Sequence, residues 1–69
     1  MPFVNVKIVK QVIADNPVQK KAEIGTRITK AISEVTGIPE DSVWIVFEEV
    51  DHKDWRVGLK DVETLRGEN

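Results

Sequence analysis

Apolar and polar residues alternate over the first ten positions of the chain. Val4, Val6 and Ile8 fall on one face of an extended segment, and polar residues separate them. Because these apolar residues are β-branched, the pattern predicts a strand over residues 3–10. In the connection that follows, at 11–15, an apolar centre either extends the strand or packs over a neighbouring element.

A helical repeat replaces the alternation after residue 16. Asn16 and Pro17 suit the N-cap and the first helical position, and Gln19 stands where a capping box has its Glu or Gln. Gly37 followed by Pro39 predicts the end of the helix. Between these ends, apolar or small residues recur every three or four positions, at Val18, Ala22, Gly25, Ile28, Ile32 and Val35. We interpret Gly25 as a site of close packing between helix and sheet.

A second extended segment is predicted over residues 43–50. Ile45 and Phe47 share one face, while Trp44 and Val46 lie on the other, so both faces of this strand carry apolar side chains. After a polar turn at 51–54, residues 55–59 form a short extended segment that returns from the turn. Residues 60–69 are expected to be a charged tail.

Strand, long amphipathic helix and strand together predict an α+β fold with a βαβ protomer and two parallel strands. Residues 1–69 are expected to form a single domain. One helix covers only one face of such a sheet, yet parallel sheets are normally covered on both faces. We therefore expect the protomer to be completed by oligomerisation, in which copies bury the second face.

Composition narrows the possible functions. The chain has 69 residues, no cysteine, one histidine and a net charge of -2. The mixed charges give no field that would gather nucleic acid, and no apolar run is long enough to span a bilayer. We expect no nucleic-acid or membrane partner, no metal or other cofactor, and a cytoplasmic location, since no signal peptide is evident. His52 is expected to be a surface residue.

Pro2 is the candidate catalytic residue. Met1 precedes a small residue and is expected to be trimmed, which would leave a free secondary amine on Pro2 at the start of a strand. An α-amino group titrates near roughly 7.7–8.0, and burial lowers that pKa towards neutrality, where a general base works best. Alternatively, proline is simply tolerated at the first position of a strand, where its missing N–H costs little.

The chain resembles the tautomerase superfamily, specifically its short 4-oxalocrotonate tautomerase type. The resemblance extends from Pro2 to about Leu65. It is carried by MPFVNV at 1–6, QK at 19–20, SV at 42–43, FEEV at 47–50 and DWRVG at 54–58. No one of these motifs is specific; their order, the chain length and the position of the proline carry the resemblance together.

The resemblance implies a homohexamer of βαβ protomers that isomerises small enol or dienol carboxylates. It implies that Pro2 is the general base and that Trp55 is the aromatic residue near the hairpin. The family's two substrate-binding arginines are absent from their positions, and one of those positions is occupied by Trp44. Arg56 and Lys10 are therefore the candidate cations for binding the substrate carboxylate. The alternative is that both are surface charges. Trp44 and Trp55 are candidate substrate-binding residues; the alternative is that both tryptophans pack at an interface.

Two functions follow from these observations. The first is a cofactor-independent tautomerase that uses Pro2. The second is a non-catalytic oligomeric binding or structural protein on the same scaffold, which the missing arginines favour.

Glu48 and Glu49 are adjacent in a strand and are expected to point to opposite faces, so they do not form a carboxylate pair.

Overall fold

The computed structural model of the chain describes residues 1–67 as a βαβ unit followed by a small hairpin and a short helix. The elements are β1 (Phe3–Val9), α1 (Pro17–Thr36), β2 (Trp44–Val50), β3 (Arg56–Val57), β4 (Lys60–Asp61) and α2 (Val62–Gly67). Short 3-10 helices at Lys10–Val12 and Glu40–Ser42 follow β1 and precede β2. The predicted fold class, with its long crossover helix and C-terminal hairpin, is confirmed.

The two long strands pair in parallel. Their register runs from Phe3 opposite Trp44 to Val9 opposite Val50. One further hydrogen bond extends the pairing, because the Trp44 N–H donates to the Pro2 carbonyl oxygen at 3.1 Å. The start of β2 is therefore fixed directly beside Pro2.

The two faces of this sheet differ as the alternation predicts. Val4, Val6 and Ile8 are half-buried, whereas the residues between them are exposed. Ile13 is the one buried apolar residue of the described chain, with 2% of its surface exposed. Within residues 11–15, Ile13 thus packs inward after a helical turn, whereas Val12 and Ala14 are exposed, and the segment does not extend β1.

The ends of α1 match the prediction in position but not in every contact. The Asn16 side chain forms no hydrogen bond to the helix backbone. Its Nδ2 instead donates to Gln19 Oε1 at 2.6 Å, so the predicted capping box is wrong because both side chains are engaged with each other. At the other end, Gly37 adopts a left-handed φ of 79° and its N–H donates to the Ser33 carbonyl at 2.8 Å.

Alanine substitutions at Gly37 and Gly25 should have opposite effects on stability. Gly37→Ala should lower the free energy of unfolding by about 1 kcal/mol, since a Cβ is disfavoured at positive φ. Gly25→Ala should raise it by up to about 1 kcal/mol through helix propensity. A Cβ at Gly25 would lie 3.9 Å from Phe47 Cε2, an ordinary contact. Urea unfolding followed by circular dichroism measures the free energy of unfolding of both variants. Destabilisation of similar size by both substitutions would contradict the expected difference between the two glycines.

The predicted charged tail is wrong where the structure describes it. Residues 62–67 form α2, and Thr64 N–H donates to Asp61 Oδ1 at 2.7 Å, which caps its first turn. This backbone hydrogen bond, followed by that of the Thr64 side chain, holds the pKa of Asp61 below its ordinary value. The capping interaction therefore stabilises the fold above the ordinary aspartate pKa and is lost as the pH falls through the lowered one. Residues 68–69 of the tail lie outside the described residues.

The single chain is extended and leaves much apolar surface uncovered. Its radius of gyration is 14.8 Å, whereas about 11 Å is typical of a compact chain of this length. Its accessible surface is 5095 Å², compared with about 4,400 Å² expected for this size. Phe3, Trp44 and Val46 stand on the uncovered sheet face and are 62%, 56% and 41% exposed. None of the described helices is long and apolar enough to span a membrane.

Candidate active site

Pro2 and Trp44 lie together at the edge of the sheet where both strands begin. Pro2 is half-buried, and its carbonyl accepts the Trp44 N–H. Phe3 is the register partner of Trp44, so the two aromatic residues are neighbours across the strands, and both are more than half exposed. We call Pro2, Phe3 and Trp44 the amino-end group.

The other three predicted site residues lie at the opposite end of the sheet. Lys10 directly follows β1, and Trp55 and Arg56 follow β2 after a turn. Six residue steps separate Phe3 from Val9, so at about 3.3 Å per residue the two ends lie roughly 20 Å apart. We call Lys10, Trp55 and Arg56 the carboxyl-end group. The fold of one chain thus does not bring the five predicted site residues together.

Gln11 joins the carboxyl ends of the two strands. Its Nε2 donates to Asp51 Oδ2 at 3.3 Å, and its Oε1 accepts the His52 N–H at 3.0 Å. The Lys53 backbone N–H, followed by the Gln11 side chain, lowers the pKa of Asp51. These contacts fix the turn that carries the hairpin against the end of β1.

The prediction that His52 is a surface residue is wrong. Only 20% of its side chain is exposed, and its Nε2 lies 2.7 Å from Glu63 Oε2. The Glu63 N–H also donates to the His52 carbonyl at 3.1 Å. Burial arises because the hairpin turns the chain back and places α2 over this turn. Its Nδ1 is buried without a hydrogen-bond partner among the described residues.

Trp55 is less exposed than the two cations of the carboxyl-end group. Trp55 is half-buried, and its carbonyl accepts the Val62 N–H at 2.7 Å. Arg56 is exposed; its Nη2 donates to the Leu59 carbonyl at 3.0 Å, and it lies opposite Asp61 in the hairpin. Lys10 is exposed, and its side chain has no hydrogen bond or ion pair within residues 1–67. Both cations are accessible to a ligand or to another chain.

The acidic side chains of β2 are separated as predicted. Glu48 Oε1 accepts a hydrogen bond from Asn5 Nδ2 at 2.6 Å on the uncovered sheet face. Glu49 pairs with Lys21 of α1, which lies on the other face. Across residues 1–67, no three histidine, aspartate or glutamate side chains are arranged to hold a metal ion.

A cavity of about 370 Å³ lies beside α1. It is lined by Ile8, Val12, Ile13, Lys20, Glu23, Ile24 and Arg27. None of the predicted site residues lines it. Its two cations are already paired, Lys20 with Asp15 and Arg27 with Glu23. The cavity therefore offers no uncompensated charge for a substrate carboxylate.

Comparison with known protein families decides the identity of this scaffold. The family model described as "Tautomerase enzyme" matches residues 2–64, which is nearly the whole chain. The chain belongs to the tautomerase family. The match includes Pro2 and extends through the hairpin into α2, so it covers both groups of predicted site residues.

Individual relatives agree with the family match. A protein of Bacillus cereus named "Probable tautomerase" is 37% identical over 60 residues, covering 87% of this chain and 92% of the relative. A 4-oxalocrotonate tautomerase isozyme of Methylibium petroleiphilum has a similar structure, with a TM-score of 0.74 and 25% identity over 93% of this chain and 97% of that one. DmpI of Helicobacter pylori shares the fold, with a TM-score of 0.83, 24% identity, and coverage of 99% and 100% of the two chains.

Membership of the tautomerase family makes this chain an enzyme that interconverts keto and enol isomers. These findings favour the tautomerase over the alternative of a non-catalytic structural protein. The sequence carried no signal for the His52–Glu63 contact, because the two residues are joined only through the fold of the hairpin.

Proposed function

We propose that this tautomerase isomerises small enol or dienol carboxylates with Pro2 as the general base. The observation that carries the proposal is the position of Pro2, which is half-buried at the start of β1 with Trp44 fixed beside it. Removal of Met1 converts the Pro2 nitrogen from an amide into a secondary amine with a basic lone pair. Partial burial lowers the pKa of such an amine towards neutral pH, where a general base works best.

The amine moves one proton and consumes no co-reactant. The Pro2 nitrogen accepts the enol O–H proton, the C–O bond becomes a carbonyl, and the C=C electron pair takes a proton back from the ammonium at carbon. Enol and ketone therefore have the same composition, and the amine is regenerated. A base and acid positioned in this way contributes typically 10²–10⁴-fold to a rate.

We propose that each active site is shared between chains. The amino-end group supplies the base, but the cations Arg56 and Lys10 of the same chain lie roughly 20 Å away at the other end of the sheet. The carboxyl-end group of a neighbouring copy supplies the cation that binds the substrate carboxylate. Arg56 is the first candidate, because guanidinium presents a fork of donors that matches a carboxylate. Trp55 of that copy provides an apolar wall.

The assembly we propose is a cytoplasmic homohexamer. Support comes from the uncovered sheet face, the single buried residue of the described chain and the large accessible surface. A chain of this length with no cysteine needs another source of stability, and burial of apolar surface between copies is the remaining ordinary one.

Intact-mass analysis combined with an enol ketonisation assay tests the proposed function. We expect purified protein to have lost one methionine and to accelerate ketonisation of phenylenolpyruvate or 2-hydroxymuconate. If protein that retains Met1 is as active as protein that has lost it, the role of the Pro2 amine is contradicted. Protein with a free Pro2 but no activity on either acid would contradict the substrate class.

A further inference from the structure

The amino-end group contains two aromatic side chains and no cationic one. Phe3 and Trp44 are opposite each other in the ladder and are 62% and 56% exposed. Phe3 directly follows Pro2 in the chain, and the Trp44 N–H donates a hydrogen bond to the Pro2 carbonyl. A substrate that reaches the Pro2 nitrogen therefore meets two neighbouring aromatic side chains.

The segments that meet at this end of the sheet contribute no cationic side chain, and Lys7, the nearest cation on the sheet face of Phe3 and Trp44, lies four residues and about 13 Å along β1 from Phe3. Residues 1–5 and 31–46 contain no lysine or arginine, whereas Glu34, Glu40 and Asp41 fall within them. Lys30, the nearest cation along α1, lies six residues and about 9 Å before the end of the helix. The carboxyl terminus of α1 also lies at this end of the sheet, where its carbonyl groups present partial negative charge.

From these observations we infer that the site selects aromatic or other apolar enol monocarboxylates over dicarboxylates, with Trp44 as the residue that determines this specificity. The inference rests on the proposed function of Pro2. The single carboxylate of such a substrate binds the cation of the neighbouring chain, and its apolar part lies on Trp44 and Phe3. A second carboxylate would meet no cation from the segments that form this end of the sheet, and its desolvation would be uncompensated.

Substitution of Trp44 tests the inference through a ratio of substrates. The values of kcat/KM are measured for phenylenolpyruvate, an aromatic monocarboxylate, and for 2-hydroxymuconate, a dicarboxylate. We expect the natural protein to favour phenylenolpyruvate by about 10-fold or more. Trp44→Ala should reduce this preference by about 10-fold, while Trp44→Phe should retain it. Trp44→Arg should shift the preference towards the dicarboxylate.

The ratio separates specificity from assembly, because a variant with fewer intact oligomers loses activity on both acids equally. Native mass spectrometry of each variant supplies the assembly state. A natural protein that favours the dicarboxylate, or a Trp44→Ala variant with an unchanged ratio, would overturn the inference. If Trp44→Ala does not fold, the kcat/KM ratios of the natural protein and of Trp44→Phe still test the inference, because both are expected to favour phenylenolpyruvate.

Failure of this inference is distinguishable from failure of the proposed function. Insertion of an alanine between Met1 and Pro2 keeps the Pro2 nitrogen in a peptide bond and displaces the free amine by at least one residue, so the Pro2 nitrogen can no longer act as a base. If that variant is inactive on both acids but the ratio is independent of Trp44, only the specificity inference fails. If that variant stays active, the role of Pro2 itself fails.

Discussion

Pro2→Ala should lower kcat/KM for enol ketonisation by about 10²-fold, the lower end of what a positioned general base contributes. Alanine also exposes an amine after removal of Met1, but this amine is primary and its backbone is not restricted by a ring. It is therefore held less firmly in the geometry for proton transfer. Initial rates at several pH values measure the loss.

Two controls accompany this substitution. The alanine insertion between Met1 and Pro2 converts the Pro2 nitrogen into an amide and moves the free amine at least one residue away from its position, so it should abolish most of the enzymatic rate. Pro2→Ala should assemble normally, since the Pro2 contact that pairs the strands uses its carbonyl oxygen, which alanine retains. Full activity of the insertion variant, with its mass confirmed, would show that the base lies elsewhere.

Arg56→Ala should reduce kcat/KM by about 10- to 100-fold, mainly through a higher KM, because a charge-assisted hydrogen bond to the substrate carboxylate is lost. The guanidinium is accessible for this role, since it is exposed and donates a hydrogen bond only from Nη2, to the Leu59 carbonyl, within the described residues. Arg56→Lys should recover part of the loss, because it restores the charge but not the forked geometry. Steady-state kinetics on one enol acid measures both variants.

Lys53→Ala is the matched control for Arg56. Lys53 is an exposed cation in the turn just before the hairpin, and its backbone N–H, which binds Asp51 Oδ1, is unaffected by the substitution. Its kinetics should remain close to those of the natural protein. Equal losses for Lys53→Ala and Arg56→Ala would attribute the effect to net charge and not to a specific contact.

The sequence was sufficient for the βαβ unit because its periodicities are strong and local. The alternation of Val4, Val6 and Ile8 and the helical repeat ending at Gly37 each specify an element without knowledge of the rest. The uncovered aromatic residue Trp44 was also evident, since both faces of β2 carry apolar side chains.

The parts that could not be predicted depend on contacts between distant segments. The surface assignment of His52 failed because Glu63 and α2 return to it only after the hairpin has formed. The capping box failed because the side chains of Asn16 and Gln19 hydrogen-bond to each other, an outcome that the same residues permit. The parallel strand order places Pro2 and Arg56 at opposite ends of the sheet. The residue roles implied by the family did not show whether Pro2 and Arg56 of one active site come from the same chain or from two chains.

The shared active site is the central claim, and subunit mixing tests it most directly. The chain with an alanine inserted before Pro2 lacks the base, and the Arg56→Ala chain lacks the cation. Mixed oligomers of the two should regain about a quarter of the natural activity, because that share of randomly paired sites receives Pro2 from one chain and Arg56 from the other. Activity no greater than the sum of the two parent proteins, in oligomers shown to contain both chains, would contradict a site built between copies.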